Sequence, residues 1–327
     1  MIRIALDAMG GDYAPEEMIK GALLANRELP VEVILVGKAE VLNETLKKLK
    51  LKLPFVPASE TIAMDEPPVQ AVRQKKDSSI NVAVSLVKEG KADAVVSAGN
   101  TGALMASAIF TLGIIKGVQR PAIATELPLP TGKVLLLDAG ANVDCTSHFL
   151  MQFAEMGSLY AEHVFHVHHP RVGLLNIGEE KLKGNKLVRE SYPLLKQSPI
   201  NFIGNVESKE ILSGAADVVV CDGFIGNLIL KFAESLGEAV FNLLKSEFER
   251  AITAKLGWFF LSSSFNKFKK TVTYDDYGAA PFLGIQGIVY KAHGRAHAPA
   301  IKSAIRETAE AVKENLVGFI SKMGENR

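Results

Sequence analysis

Short apolar runs of four to six residues alternate along this chain with longer amphipathic stretches, and most of the runs end in a polar turn. Ile2 to Leu6 runs into Asp7-Ala8-Met9-Gly10-Gly11-Asp12, Val31 to Val36 into Gly37, and Val134 to Leu137 into Asp138-Ala139-Gly140-Ala141-Asn142. Later, Arg171 to Leu175 runs into Asn176-Ile177-Gly178-Glu179-Glu180, and Phe202-Ile203 into Gly204-Asn205-Val206-Glu207. Val218 to Cys221 runs into Asp222-Gly223-Phe224-Ile225-Gly226-Asn227, and Ile285 to Tyr290 into Lys291-Ala292-His293-Gly294. Doubly buried strands separated by helix-length segments are the βαβ pattern. It predicts an α/β chain, a three-layer αβα unit over residues 1–327 with a largely parallel sheet. In such a sheet the carboxyl ends gather along one edge, so the polar turns are expected to line a shared crevice. Singly, each is only a turn. Their repeated chemistry, glycine with Asp, Asn, Glu or His, carries the expectation.

The stretch Asp93 to Phe110 reads as a buried strand, a tight turn Ser97-Ala98-Gly99-Asn100-Thr101-Gly102, and a helix. Unpaired amides and the dipole at a helix start favour an anion, which makes Ser97, Gly99, Asn100, Thr101 and Gly102 a candidate phosphate seat. An ordinary N-cap by Asn or Thr explains the same residues, and the motif alone leaves both open. No residue from Ala94 to Ile115 is charged, yet the polar, turn-prone centre argues for a buried strand and helix over a membrane span. At the C-terminus, Ile301, Ile305, Ala309, Val312, Leu316, Phe319 and Met323 form one apolar helical stripe, a packing surface. The stretch Ile252 to Lys270 fits no single helix, because Ile252, Leu256, Phe259 and Phe260 share one face while Trp258, Leu261, Phe265 and Phe268 fall on roughly the opposite one. Two helices meeting near Ser262-Ser263-Ser264 reconcile them, a helical hairpin excursion over 240–280. With Lys255, Lys267, Lys269 and Lys270 and no acid between them, it suits an anionic membrane surface or, alternatively, a dimer partner or the core.

Composition narrows the classes. The 327 residues are 48% hydrophobic, enough for a large core, and the 37 basic and 36 acidic residues leave a charge of +1. No overall field recruits nucleic acid or a bilayer, so any such attraction is local. Cys145 and Cys221 lack metal-site or disulfide-framework spacing and, with no leader pattern at MIRIALDAMGG, point to a reducing, cytoplasmic setting. Phosphate-loop, dinucleotide and nucleophile-elbow motifs are absent. The cluster His163, His166, His168 and His169 is contiguous, sits before a strand and has no carboxylate or thiol within it, and Gly294 and Pro299 spoil a metal-binding helix at His293 and His297. Neither a metal nor a redox cofactor is expected. Arg73, Lys75 and Lys76 before the capping run Asp77-Ser78-Ser79 form a basic cluster, suited to an acidic partner or simply solvated.

Taken in order, several blocks closely resemble the bacterial phosphate acyltransferases of phospholipid synthesis, the PlsX family. They are Asp7 to Asp12, Lys75 to Ser79, Ser97 to Ala103, Asp138 to Asn142, Asn176 to Glu180 with Lys183-Gly184-Asn185, and Asp222 to Asn227. The departure at Gly278 to Gly284 bears on acyl-chain preference. The resemblance implies the fold of phosphotransacetylases and of isocitrate and isopropylmalate dehydrogenases, and a homodimer. It further implies transfer of a fatty acyl group from acyl carrier protein to inorganic phosphate, for use by a membrane glycerol-3-phosphate acyltransferase. That chemistry needs no covalent enzyme intermediate, because phosphate is already nucleophilic and a thiolate leaves readily. It needs positioning and charge neutralisation. Asn142, Lys183, Asn227 and His293 are the candidate catalytic residues, while Asp7, Asp138 and Asp222 are expected to orient donors, since a bare carboxylate repels phosphate. A phosphotransacetylase using acyl-CoA, a nicotinamide-dependent dehydrogenase of the same fold and a non-catalytic membrane-docked scaffold are the alternatives. The cytoplasmic face of the cell membrane is the expected place of action.

Overall fold

The computed structural model describes residues 1–129, 132–250 and 279–325. The predicted membrane or dimer stretch Ile252 to Lys270 lies outside them, as does most of the predicted hairpin. The described strands are β1 (Ile2–Asp7), β2 (Val31–Gly37), β3 (Phe55–Pro57), β4 (Ala94–Ser97), β5 (Ala122–Leu129), β6 (Gly132–Leu137), β7 (Arg171–Leu175), β8 (Asn201–Val206), β9 (Val218–Val220), β10 (Ala279–Leu283) and β11 (Ile288–Ala292). They join one sheet in the order β3-β2-β1-β4-β11-β10-β5-β6-β9-β7-β8.

Alternation along the strands builds the layers. Ile4 and Leu6 of β1, Ala94 and Val96 of β4, and Leu135 and Leu137 of β6 pack into one core beneath α1 (Glu16–Glu28), α6 (Ser147–His163) and α10 (Ala298–Lys313). Ala5 and Val95 point the other way, into a second core with α4 (Ser79–Lys88) and α5 (Thr101–Thr111). Leu136 and Val219 do the same beside Ile225 and Ile229 of α9 (Gly223–Arg250). Burying each Val, Leu or Ile side chain among them contributes roughly 1.5–3 kcal/mol. The short α2 (Ala39–Lys48), α3 (Pro68–Gln74), α7 (Lys186–Gln197), α8 (Ser208–Ser213) and the C-terminal α11 (Leu316–Glu325) complete the helical layers among the described residues.

Strand sense decides where the polar turns go. One parallel group holds β3, β2, β1, β4 and β11, and a second holds β6, β9, β7 and β8. Between them β10 is antiparallel to both β11 and β5, and β5 is antiparallel to β6. The two groups therefore run in opposite senses. This corrects the expectation of a single edge, which holds only when every strand shares one direction. The ends of β1, β4 and β11 open along one edge and those of β6, β7, β8 and β9 along the other. The stagger of β10 brings the two sets together. Its first residues pair with the end of β11, Ala279 opposite Ala292, while Phe282 and Leu283 pair with Ile123 and Ala122 at the start of β5.

Candidate active site

A cavity of about 510 Å³ opens where the two groups of strands meet. Its wall takes Asp12 from the turn after β1, Thr101 from the start of α5, and Lys291, His293 and Arg295 from the end of β11 and beyond. The opposite group contributes Ala139 and Gly140 after β6, and Asn227, Lys231 and Glu234 from α9.

The cationic side is set by register. Asp7, Ser97 and Lys291 occupy one row across β1, β4 and β11, Asp7 opposite Ser97 and Ser97 opposite Lys291. Sharing that row, they project from the same face of the sheet. Ser97 Oγ donates to Asp7 Oδ2 at 2.6 Å and accepts from the Gly99 amide at 3.0 Å, and Met9 N donates to Asp7 Oδ1 at 3.1 Å. Burial raises the Asp7 pKa, opposed by these hydrogen bonds, by Ser79 and by the charge of Lys291. The Lys291 Nζ donates to the carbonyls of Ala98, at 3.2 Å, and Ala292. Burial pulls its pKa down to about 8, with Asp7 and Asp12 holding it up against Lys231.

The predicted phosphate seat divides. The Ser97 hydroxyl is engaged by Asp7 and the Gly99 amide by Ser97, all three residues being buried. The Asn100 side chain caps α5, its Oδ1 accepting from Ala103 N at 3.0 Å, and its Nδ2 donates to the carbonyls of Ala63, Met64 and Glu66 at 3.1–3.2 Å. Gly102 is held by packing, because a Cβ there would lie 2.5 Å from Pro68 Cγ. What faces the cavity is Thr101, the first residue of α5, a helix whose Ala103 amide is already taken by Asn100.

The other predicted residues separate in the same way. Asp138 is fully buried, and its Oδ1 accepts from the amides of Ile123, Gly140 and Ala141 at 3.0–3.2 Å. Its Oδ2 accepts from Asn142 N at 2.7 Å and Asn142 Nδ2 at 2.9 Å. Burial still pushes its pKa up. Asn142 spends its second amide proton on Pro121 O at 2.8 Å, so it organises the turn after β6. Asp222 caps α9 by accepting from Ile225 N at 2.9 Å. Gly226 lets that helix press onto the same turn, since a Cβ there would sit 1.9 Å from Asp138 O. Asn227 is thereby brought to the cavity. Lys183 is not: it is exposed beside Glu180 at 3.7 Å, in the loop after β7 that Asn176 and Asn205 pin. His293 lines the cavity. Its Nδ1 accepts from Arg295 N at 3.2 Å, which leaves the proton of the neutral ring on Nε2, and burial lowers its pKa.

Lys291 and Arg295 escaped the sequence reading, although Lys291 sits at a strand end like the residues that were chosen. The signal was register, not residue type. Glu307 of α10 was also missed; it lines the deeper wall near Glu126, accepts from Ala279 N at 3.2 Å, and has its pKa raised to about 7, first by burial and then by Glu126. Within the basic cluster Lys75 is engaged by Glu66 at 2.7 Å and Thr61 O at 2.8 Å, while Arg73 lies 5.3 Å over the Phe110 ring. His163 stacks on Phe319 with centroids 3.6 Å apart, and His297 on Tyr13 at 4.3 Å. Among the described residues no three His, Cys, Asp or Glu side chains are grouped to hold a metal ion.

Comparison with known proteins agrees with this architecture. Solved structures similar in fold include a phosphotransacetylase from Streptococcus pyogenes, with TM-score 0.66 and 17% identity over 96% of this chain and 94% of the other. A branched-chain phosphotransacylase from Enterococcus faecalis has TM-score 0.62 and 19% identity over 95% and 99%. In sequence the chain is 49% identical over 323 residues to the phosphate acyltransferase of Heliobacterium modesticaldum, covering 98% of this chain and 96% of the relative. It is 50% identical to that of Desulforamulus reducens, covering 100% and 98%. Residues 2–318 match the family model described as fatty acid synthesis protein. With near-complete coverage at half identity, the chain belongs to the phosphate acyltransferase family of fatty acid and phospholipid synthesis.

Proposed function

We propose that this acyltransferase moves a fatty acyl group from an acyl carrier protein thioester to inorganic phosphate, releasing acyl phosphate and the carrier thiol. The observation that carries the reading is the row of Asp7, Ser97 and Lys291, which ends beside His293 and the open start of α5 on one cavity wall. Phosphate is seated by the first-turn amides and Thr101, with the Lys291 ammonium neutralising its charge. A phosphate oxygen attacks the thioester carbonyl carbon; the new C–O bond forms as the C–S bond breaks, and the sulfur leaves as thiolate. The Nε2 proton of His293 and the Asn227 amide are the donors for the oxyanion that develops. Asp7 and Asp138 stay behind the wall, fixing the turns that present these groups. The cavity's apolar side, with Ile123, Leu230 and Ala280, is the place for the acyl chain next to the thioester.

The wider reading keeps a homodimer, a reversible contact of Ile252 to Lys270 with the cytoplasmic face of an anionic membrane, and a membrane glycerol-3-phosphate acyltransferase as consumer. Arg73 and Lys76 remain the steering charges for an acidic carrier. The deciding experiment supplies acyl carrier protein thioester and acyl-CoA in parallel, with and without phosphate, and traps acyl phosphate with hydroxylamine. Phosphate-dependent hydroxamate from the carrier thioester is expected. A strong preference for acyl-CoA would make the enzyme a phosphotransacetylase, and no hydroxamate from either would end the proposal.

A further inference from the structure

We infer that Asn100 and Lys75 are positioning residues that fix the loop of residues 61–66 as the thioester-side wall of the cavity, and that neither binds phosphate. This inference rests on the acyl-transfer reading above and assigns a specificity-determining segment within it. An asparagine amide has two protons, and those of Asn100 are shared among three carbonyls of the loop, while its oxygen is taken by Ala103 N. The side chain is 5% exposed and its hydrogen-bonding capacity is used. Lys75 closes the loop from its other end by donating to Thr61 O and Glu66 Oε1, and Glu66 Oε1 also accepts from Ala63 N at 2.6 Å.

The choice of asparagine is informative. Ser, Asp and Asn cap helices about equally well, but only Asn also offers two donors to a set of carbonyls, and Asp would face them with a further acceptor. What the pinned loop presents to the cavity is Met64, a cavity-lining side chain that is 53% exposed. Its methyl group lies toward Gly294, 3.7 Å from where a Cβ would stand there. Carbonyls turned away toward Asn100 and a pliable thioether turned inward suit an acyl thioester and offer an anion nothing.

The test is Asn100→Ser, which keeps a capping oxygen for α5 and removes the three loop contacts. KM for the acyl carrier thioester is expected to rise at least about fivefold, with KM for phosphate within about twofold of wild type. Amide exchange at Ile62 to Glu66 should quicken as well. Lys75→Met, which leaves the cap untouched, should move the same quantities in the same direction. A rise in the phosphate KM alone, or unchanged exchange in both variants, would overturn the inference. Were wild-type enzyme to form no acyl phosphate, the reading of the activity would fall, while exchange at the loop would still decide whether these two residues hold it.

Discussion

A lysine and a glutamate that lie outside any motif give the cavity its pH behaviour. Lys291 is cationic below its pKa of about 8 and loses that charge as pH rises through it. If it neutralises phosphate, kcat/KM for phosphate should fall across pH 8 in wild type and hold up in Lys291→Arg, whose charge persists. The Arg variant cancels the ionisation of phosphate itself, so matching profiles would count against the role. Lys291→Met should raise the phosphate KM at least about tenfold at neutral pH. Glu307 contributes through stability. Its pKa stands at about 7 against an ordinary 4.5, so within that window the folded chain keeps a proton that the unfolded chain has released. Stability falls as pH rises through the window and stays lower above it. Glu307→Gln lacks this loss and should gain on wild type between those pH values, by roughly 3 kcal/mol at most, in urea titrations at each pH. Residue type alone did not reveal either group. Lys183 and Lys291 both lie near strand ends in the sequence, and only the pairing of β11 with β4 separates the cavity residue from the exposed one.

At the scale of elements, hydrophobic period made the strands legible, because buried parallel strands are largely apolar and give way to polar turns. The helix starts at Asn100 and Ser78 were legible too, as caps. Strand direction was not, since an apolar run reads the same whichever way it enters the sheet. The long α9 carries an exposed stripe, Phe224, Leu228, Phe232, Leu236, Val240 and Leu243, each 41–66% accessible. The spacing of three and four keeps them on one winding face over about 30 Å of helix. A stripe of that size is hard to leave in water and supports α9 as the contact of the proposed homodimer. Phe232→Ser with Leu236→Ser should shift sedimentation toward monomer while circular dichroism stays native-like. An unchanged sedimentation coefficient would move the dimer contact elsewhere.

At the scale of the molecule, the site belongs to neither parallel group alone. One group supplies Lys291, His293, Arg295 and the helix start, the other supplies Asn227, Lys231 and the turn that Asp138 holds. The sequence showed all these turns and could not show that they come from opposed edges, because β10 and β5, the antiparallel pair that joins the two hairpins between the groups, lie far apart in the chain. No described helix is long and apolar enough to cross a membrane. The proposed contact of Ile252 to Lys270 with anionic vesicles is expected to weaken with salt and with Trp258→Ser and Phe259→Ser together, with turnover of soluble substrate retained. Wild-type co-sedimentation by the double variant would remove that stretch from consideration.

The place of β10 and β11 in the sheet has a consequence for how the chain is made. These late strands stand between β4 and β5, so as the polypeptide leaves the ribosome the two flanking edges are synthesised long before the pieces that separate them. Until then β4 and β5 each present unpaired amides and carbonyls to any other strand at hand, including each other. A nascent chain released before Ala279 should therefore be captured by chaperones or aggregate, and full-length protein should refold slowly, limited by a closure of high contact order.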